Sequence, residues 1–195
     1  MSVDMGFFGK GKSMDLRIED VKYTVSDIMA LPQGERAELI DGYIYMMAPP
    51  NRIHQDIVAK LVKDIGNYID KKGGNCRVYP APFGVFLNND DENYVEPDIS
   101  VICDRGKLQV DGCHGAPDWI IEVLSQGSRH IDLFVKLNKY RTAGVREYWI
   151  IDPMTETARV YDFMKDKEYN YAFKDDIKVR IYEDLELSFA DLMDE

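Results

Sequence analysis

The sequence lacks any long apolar segment. No apolar run approaches the ~20 consecutive residues that a membrane-spanning helix needs. The stretch from Met1 to Gly9 also lacks the apolar core of a secretory signal peptide. Both absences argue against a membrane or exported protein, and they predict a cytoplasmic protein that makes no contact with a membrane.

Cysteine is scarce as well. The three residues Cys76, Cys103 and Cys113 are odd in number and include no Cys-x-x-Cys pair. The sequence therefore does not suggest a disulfide framework, and it predicts free thiols in a reducing compartment. Cys113 and His114 are adjacent, but nothing else completes the spacing of a zinc site. We expect buried or incidental thiols.

Positive charge is in short supply. The chain has 24 Lys and Arg against 35 Asp and Glu, which gives a net charge of −11. Such a surface argues against a general nucleic-acid coat protein, because phosphate binding needs positive charge. A nuclease stays compatible, since a local basic rim can lie beside an acidic metal site. Candidate rim residues are Arg129, Lys139, Arg141 and Arg146, which a solvated helix face explains equally well.

The hydrophobic and charged fractions of the sequence are typical of one globular domain. Of 195 residues, 45% are hydrophobic and 30% charged, which is enough for a substantial core. Residues 1–20 carry three glycines and no sustained periodicity, which predicts a loose tail. We find no repeat and no low-complexity block, so residues 21–195 are predicted to form a single domain.

Hydrophobic periodicity predicts alternating helices and strands. Asp41-Gly42 lies between two apolar segments and is typical of a tight hairpin turn. Helical spacing runs from 51 to 72 and ends at Gly73-Gly74. A second helix is predicted from about Arg129 to Ala143. The predicted strands are 77–80, 83–87, 98–103, 119–124, 147–151, 158–163, 169–173 and 177–182.

The segments between these elements are assigned to turns and loops. Gly34 to Glu38 resembles a helical turn, 88–93 an acidic turn, and the stretch that contains Gly106, Gly112 and Gly115 a loop. A short acidic helix is predicted at the end of the chain.

One acidic residue interrupts an otherwise apolar strand. Glu122 lies in Trp119-Ile120-Ile121-Glu122-Val123-Leu124, a run typical of a central strand buried on both faces. An ionised carboxylate there is costly unless a cation or several donors compensate it. Asp98 starts the preceding strand, and strands close in sequence are often neighbours. The pair could bind Mg²⁺, which takes few carboxylates and keeps several waters. The alternative is a structural ion pair between Glu122 and a basic side chain.

An ordered series of motifs runs along the chain. The series is Glu38-Leu39-Ile40-Asp41-Gly42, Ala48-Pro49-Pro50 with His54, Glu96-Pro97-Asp98, Glu122-Val123-Leu124-Ser125, Asp132, Lys136, Tyr140, Gly144-Val145-Arg146-Glu147-Tyr148-Trp149 and Asp152-Pro153. The Pro-Asp pair alone is weak evidence, and it is the ordered series that identifies a family. The series resembles the Uma-type endonucleases of the restriction-endonuclease-like, PD-(D/E)xK superfamily, over roughly residues 23–165.

The resemblance implies a fold and a site. The fold is an α/β domain with a mixed β-sheet flanked by helices and additional antiparallel strands. Asp98 and Glu122 would hold the metal with help from the Val123 carbonyl. Glu38, before the first strand, would be an additional acidic ligand. Leu124 stands where the superfamily has its lysine, and the relocated lysine of this family falls on Lys136. The family is also expected to form homodimers.

Several of these roles have plain alternatives. Lys139 is the reserve candidate for the lysine. Asp132 and Lys136 are four residues apart on the predicted helix, which also suits a surface ion pair, and Glu38 could serve a solvated turn. His54 could reach the site as an acid–base group, yet a single helical histidine has many structural uses.

The sequence and the resemblance thus predict an endonuclease that hydrolyses phosphodiester bonds of nucleic acid. The predicted ion is Mg²⁺, with Mn²⁺ as a substitute, and DNA is favoured over RNA as the substrate. Catalysis is assigned to Asp98, Glu122 and Lys136: the carboxylates fix the metal, and the lysine orients the nucleophile or stabilises charge. Tyr140 is assigned to the core. Two other classes stay open. One is a nuclease fold that has lost turnover and serves in binding or assembly, and the other is an acidic adaptor protein.

Overall fold

The computed structural model describes residues 21–88, 90–125 and 131–190, and of residues 131–133 only the backbone. The predicted tail, Arg129, the side chain of Asp132 and the acidic end of the chain after residue 190 lie outside this description. Within the described residues, no helix combines the length and the apolar character that crossing a bilayer requires.

The described part of the chain contains three α-helices, fourteen short strands and one 3₁₀ helix, Arg105–Lys107. The helices are α1 (Val25–Met29), α2 (Arg52–Lys72) and α3 (Leu137–Ala143), and α3 continues a π-helical segment, Ile131–Lys136. The strands are β1 (Ala37–Ile40), β2 (Tyr43–Met46), β3 (Arg77–Pro80), β4 (Val85–Phe86), β5 (Tyr94–Val95), β6 (Ile99–Ile102), β7 (Leu108–Gln109), β8 (Gly112–His114), β9 (Trp119–Val123), β10 (Glu147–Asp152), β11 (Thr157–Asp162), β12 (Lys167–Ala172), β13 (Ile177–Lys178) and β14 (Glu186–Leu187).

A six-stranded mixed sheet forms the centre, in the order β12-β11-β10-β9-β6-β3. β9 and β10 run parallel, and the other neighbouring pairs are antiparallel. A second six-stranded sheet has the order β2-β1-β5-β4-β8-β7, and β13 pairs with β14. Mixed sheets flanked by few helices confirm the predicted fold class.

The two faces of the central sheet carry different partners. Because side chains alternate along a strand, Trp119, Ile121 and Val123 of β9 share one face and Ile120 and Glu122 share the other. The first face packs against the apolar side of α2 and the C-terminal segment. The second face packs against α3 and the second sheet. Glu122 therefore belongs to the α3 side.

Two local predictions are confirmed. Asp41 and Gly42 have φ angles of 51° and 75°, the left-handed conformations that an Asp-Gly hairpin turn uses, and they join β1 to β2. Helix α2 starts after Asn51, whose side chain accepts the His54 N–H at 2.9 Å, and ends at Gly73 with a φ of 61°.

Other predictions need correction. Gly34 to Glu38 is not a helical turn, because Glu38 lies inside β1, paired with Tyr45 of β2 and buried. The glycine-bearing loop contains β7 and β8, and the predicted strand 177–182 shortens to β13. The strands that the pattern misses have two or three residues each, too few for a local hydrophobic pattern.

The cysteine prediction is wrong for two of the three residues. Cys76 and Cys103 form a disulfide, whereas Cys113 is a free, buried thiol as expected. In the β3–β6 pair, Arg77 lies opposite Ile102, so the next pair outward in that antiparallel register is Cys76 and Cys103. The free-thiol argument for a reducing compartment falls away, and the cytoplasmic location stays a prediction.

Candidate active site

Asp98 and Glu122 lie opposite each other on neighbouring strands. β6 and β9 pair antiparallel with Ile99 opposite Ile121, and the same register continues to Asp98 and Glu122. The Asp98 N–H donates to Glu122 Oε2 at 3.3 Å. The two acidic residues thus come from adjacent positions in the sheet, as the sequence predicts.

Two neighbours orient the Asp98 carboxylate. Oδ2 accepts the Val123 N–H at 2.7 Å and lies 3.0 Å from His54 Nε2. His54 is buried in the first turn of α2, and its Nδ1 has no hydrogen-bond partner among the described residues. The Asp98 side chain is 16% exposed, so it remains accessible. The structure therefore brings His54, whose role the sequence leaves open, into contact with a predicted metal ligand.

Glu122 is held from the α3 side. Its Oε1 accepts from Lys136 Nζ at 2.9 Å and from the Tyr140 O–H at 2.8 Å. Burial, together with the negative charge of Glu122, raises the pKa of Tyr140 well above its usual range, so the phenol stays neutral and donates. Tyr140 is buried in the core as predicted, but its hydroxyl also serves the site. Its position four residues after Lys136, on the same helix face, is the signal that could have shown this.

Glu38 and Lys136 complete a buried cluster. Lys136 Nζ lies 2.7 Å from Glu38 Oε2, and Glu38 Oε1 accepts the backbone N–H of Glu96 at 3.0 Å. Glu38, Glu122 and Lys136 are each buried. Strand β1 therefore delivers Glu38 to the interior beside the lysine, and a solvated turn does not describe its position.

The second lysine candidate lies elsewhere. Lys139 forms an ion pair with Asp41 in the β1–β2 turn and does not line the cavity that contains Lys136. Of the two lysines that the sequence offers, the structure brings Lys136 to the acidic pair.

A cavity of about 240 Å³ opens over these residues. The polar residues in its wall are Glu38, His54, Asp98, Glu122 and Lys136, together with Arg36, Gln55 and Ser125. Much of the remaining wall is apolar and comes from β2, the segment after it, α2 and the turn after β3: Tyr45, Met46, Met47, Ala48, Pro50, Val58, Ala81 and Pro82. The predicted site residues thus share one accessible space that can admit a ligand.

The donor set fits a hard divalent cation with few protein ligands. Asp98 and Glu122 offer carboxylate oxygens, which suit Mg²⁺ and Mn²⁺. In the described ranges, no three or more His, Cys, Asp or Glu side chains are arranged to hold a metal ion, so backbone oxygens and water would complete the coordination. Both Glu38 oxygens already accept hydrogen bonds. Metal ligation by Glu38 and by the Val123 carbonyl stays a prediction.

The three rim candidates that the structure describes, Lys139, Arg141 and Arg146, do not line this cavity. Arg141 pairs with Asp166. Arg146 pairs with Asp118. Asp118 directly precedes β9, whereas Glu122 is near the other end of that strand. Among the described residues, Arg36 is the arginine that lines the cavity.

Comparisons with known proteins show the family of the chain and support its fold. The family described as "Uma2: Putative restriction endonuclease" matches residues 25–189. An uncharacterized protein of Synechocystis sp. is 26% identical over 162 residues, which cover 81% of this chain and 82% of that protein. A crystal structure described as a putative nuclease, from Anabaena variabilis, superposes with a TM-score of 0.72 at 24% identity, covering 88% of this chain and 97% of that one. The structural match supports the fold.

Proposed function

This chain belongs to the Uma2 family, described as putative restriction endonucleases, and from this premise we propose that it hydrolyses phosphodiester bonds of nucleic acid with a divalent metal ion. We assign the ion as Mg²⁺, with Mn²⁺ as a substitute, and the substrate as DNA in preference to RNA. A bound ion of this kind stabilises charge on the phosphate and lowers the pKa of its water.

One observation carries the proposal: two carboxylates and a lysine converge on one cavity. Asp98 lies opposite Glu122 in the sheet, and Lys136 contacts Glu122 from the helix. An adaptor protein that needs only a structural ion pair would account for Lys136 and Glu122. The adaptor hypothesis does not explain why Asp98 lies beside Glu122 or why a cavity opens in front of both residues. We therefore favour an enzyme.

The contacts assign a task to each oxygen of the acidic pair. His54 and the Val123 N–H engage Asp98 Oδ2. The other oxygen, Oδ1, has no hydrogen-bond partner among the described residues, so we assign it to the ion. Lys136 and Tyr140 engage Glu122 Oε1, which leaves Oε2 on the side of Asp98. These two oxygens would hold the ion, and the Val123 carbonyl is the proposed third ligand.

Lys136 supplies positive charge next to the acidic pair. An ammonium group there orients the attacking water or stabilises the negative charge that develops on the phosphate. His54 acts on Asp98, whose carboxylate it keeps in one orientation together with the Val123 amide.

The test is cleavage of single- and double-stranded DNA and RNA with Mg²⁺ or Mn²⁺, at low ionic strength to favour binding by an acidic protein. We expect the wild type to cleave and Glu122→Gln to have no activity. The amide keeps the volume of the side chain but removes the negative charge that holds the cation.

Circular dichroism and thermal melting of the same Glu122→Gln preparation control for folding. Unchanged cleavage by a folded variant would refute the mechanism. Metal binding without cleavage of any substrate by the wild type would favour a nuclease fold that serves in binding or assembly.

A further inference from the structure

Lys136 is buried between two glutamates. Its Nζ lies 2.7 Å from Glu38 Oε2 and 2.9 Å from Glu122 Oε1, and the three side chains are each 5% exposed or less. Buried charges are costly unless they are paired, and removal of one partner leaves the others uncompensated. The ammonium therefore compensates both carboxylates in the protein without metal.

The same ammonium is close to the oxygens that would hold a divalent ion. Lys136 engages Oε1 of Glu122, while Oε2 of that carboxylate accepts the Asp98 N–H and is assigned to the ion. Two cations would thus share one buried carboxylate. Their mutual repulsion is strong, because charges at a buried site are poorly screened by solvent.

We propose that Lys136 is the internal cation of the metal-free site, and that a divalent ion must compete with its ammonium for Glu122. This role rests on the proposed metal-dependent function and adds a regulation of it. The lysine keeps the buried glutamates compensated when no ion is present, and it lowers the affinity of the site for the ion. Binding of the ion weakens the hold of Glu122 on the ammonium, which becomes available to the water and phosphate in the cavity.

Isothermal titration calorimetry with Mn²⁺ on the wild type and on Lys136→Met tests the competition. Methionine keeps an apolar stem of similar length and removes the charge. We expect the dissociation constant for Mn²⁺ to fall about tenfold or more, because the repulsion between ammonium and ion is gone. A lysine with a purely structural role predicts no gain in affinity.

Thermal melting of the same proteins provides a second measurement. Without metal, Lys136→Met should melt at a lower temperature than the wild type, because Glu38 and Glu122 lose the charge of a buried ion-pair partner. Mn²⁺ should then raise the melting temperature of the variant by more than that of the wild type, since the ion replaces the missing charge and binds more tightly. Lys136→Gln, which is neutral but can donate to a carboxylate, is the alternative if the methionine variant does not fold.

Two further variants make the result specific. Lys139→Met is the same substitution three residues along the helix, beside Asp41, and should leave Mn²⁺ affinity unchanged. Asp98→Asn, introduced into the wild-type chain and into the Lys136 variants, should abolish Mn²⁺ binding in each case. That result would place the ion at this site.

The outcomes separate the competition from the proposed function. Asp98-dependent Mn²⁺ binding by the wild type, with equal or weaker binding by the Lys136 variants, overturns the competition and leaves the function standing. Absence of Mn²⁺ binding in the wild type and in every Lys136 variant overturns both. Tighter binding by the Lys136 variants, or binding by these variants alone, supports the competition.

Discussion

Lys136 and Lys139 lie almost one helical turn apart and have different partners. Lys136 contacts Glu38 and Glu122 in the interior, whereas Lys139 pairs with Asp41 of a surface turn. We expect Lys136→Ala to lower the rate of cleavage on the order of 10²-fold or more at saturating Mg²⁺, because one electrostatic contribution is lost while the metal ligands remain. Lys139→Ala should retain most of the activity.

Cleavage rates of the two alanine variants, measured side by side at several Mg²⁺ concentrations, decide between the lysines. Activity that is lost in Lys139→Ala but kept in Lys136→Ala would move the catalytic role to Lys139.

Glu147 is a buried carboxyl group outside the candidate site. It accepts the N–H groups of Arg180 at 2.8 Å and Ile181 at 2.7 Å, and the indole N–H of Trp149 at 2.6 Å. Burial raises the pKa of Glu147 from 4.5 to about 7, although these donors oppose the rise. Between these two pH values the folded protein holds a proton that the unfolded chain has released. Stability should therefore fall as the pH rises through this window, by up to about 3 kcal/mol.

Chemical denaturation of the wild type and Glu147→Gln between about pH 5 and 8 measures this contribution. Glutamine cannot ionise, so the free energy of unfolding of the variant should decline less over the range. The difference between the two proteins isolates Glu147 from other titrating groups. A difference that is constant with pH would contradict the raised pKa.

At the level of elements, the sequence predicts best where the signal is local. The turn at Asp41-Gly42 depends on two residues that tolerate left-handed backbone angles. Helix α2 has a 21-residue amphipathic pattern, the Asn51 cap and the Gly73 stop. Each of these features is complete within its own segment, so no knowledge of distant contacts is needed.

The elements that the sequence misses depend on distant partners. β5 has two residues and lies between β1 and β4, and β7 and β8 form inside a stretch that reads as a loop. The sequence favours a turn at Glu38, because an acidic residue is usually exposed. Its place in β1 follows from the pairing with β2 and from the buried lysine that receives it.

The entry of the chain into β8 requires a glycine. Gly112 has a φ of 146°, and a Cβ atom there would lie 2.2 Å from the backbone oxygen of Gly84, which accepts the Cys113 N–H. We expect Gly112→Ala to reduce the free energy of unfolding by about 2–4 kcal/mol, because the β4–β8 contact must open and the backbone is strained.

Gly34→Ala is the matched control for this prediction. Gly34 has a φ of 94°, but no atom lies within 4 Å of an added Cβ. This variant should lose only the backbone term, about 1 kcal/mol. Urea denaturation of both variants tests the difference, and equal losses would show that the approach to Gly84 is unimportant.

For the molecule as a whole, the acidic pair was predictable and its surroundings were not. Asp98 and Glu122 stand out as charges at a strand start and inside an apolar run, and proximity in sequence predicts that their strands pair. The hydroxyl of Tyr140 and the amide of Glu96 reach the cluster only through the packing of α3 and β5. The Cys76–Cys103 disulfide likewise follows from the β3–β6 register, which no local pattern specifies.

The outer edge of the central sheet offers a place for a second copy of the chain. Among the described strands, β12 is the last on that side. The Phe173 N–H donates to the Glu156 carbonyl, so Phe173 is in a hydrogen-bonded pair with the neighbouring strand. Hydrogen-bonded and non-hydrogen-bonded pairs alternate along an antiparallel ladder. Asn170, three residues earlier, is therefore in a non-hydrogen-bonded pair and directs its backbone N–H outward. We expect light scattering to give twice the 22.5 kDa chain mass, because an unpaired edge favours strand addition. Asn170→Pro removes an outward donor and keeps the ladder to β11, so it should give monomers. A wild-type monomer at all concentrations would exclude the dimer, and a dimer that survives Asn170→Pro would place the interface elsewhere.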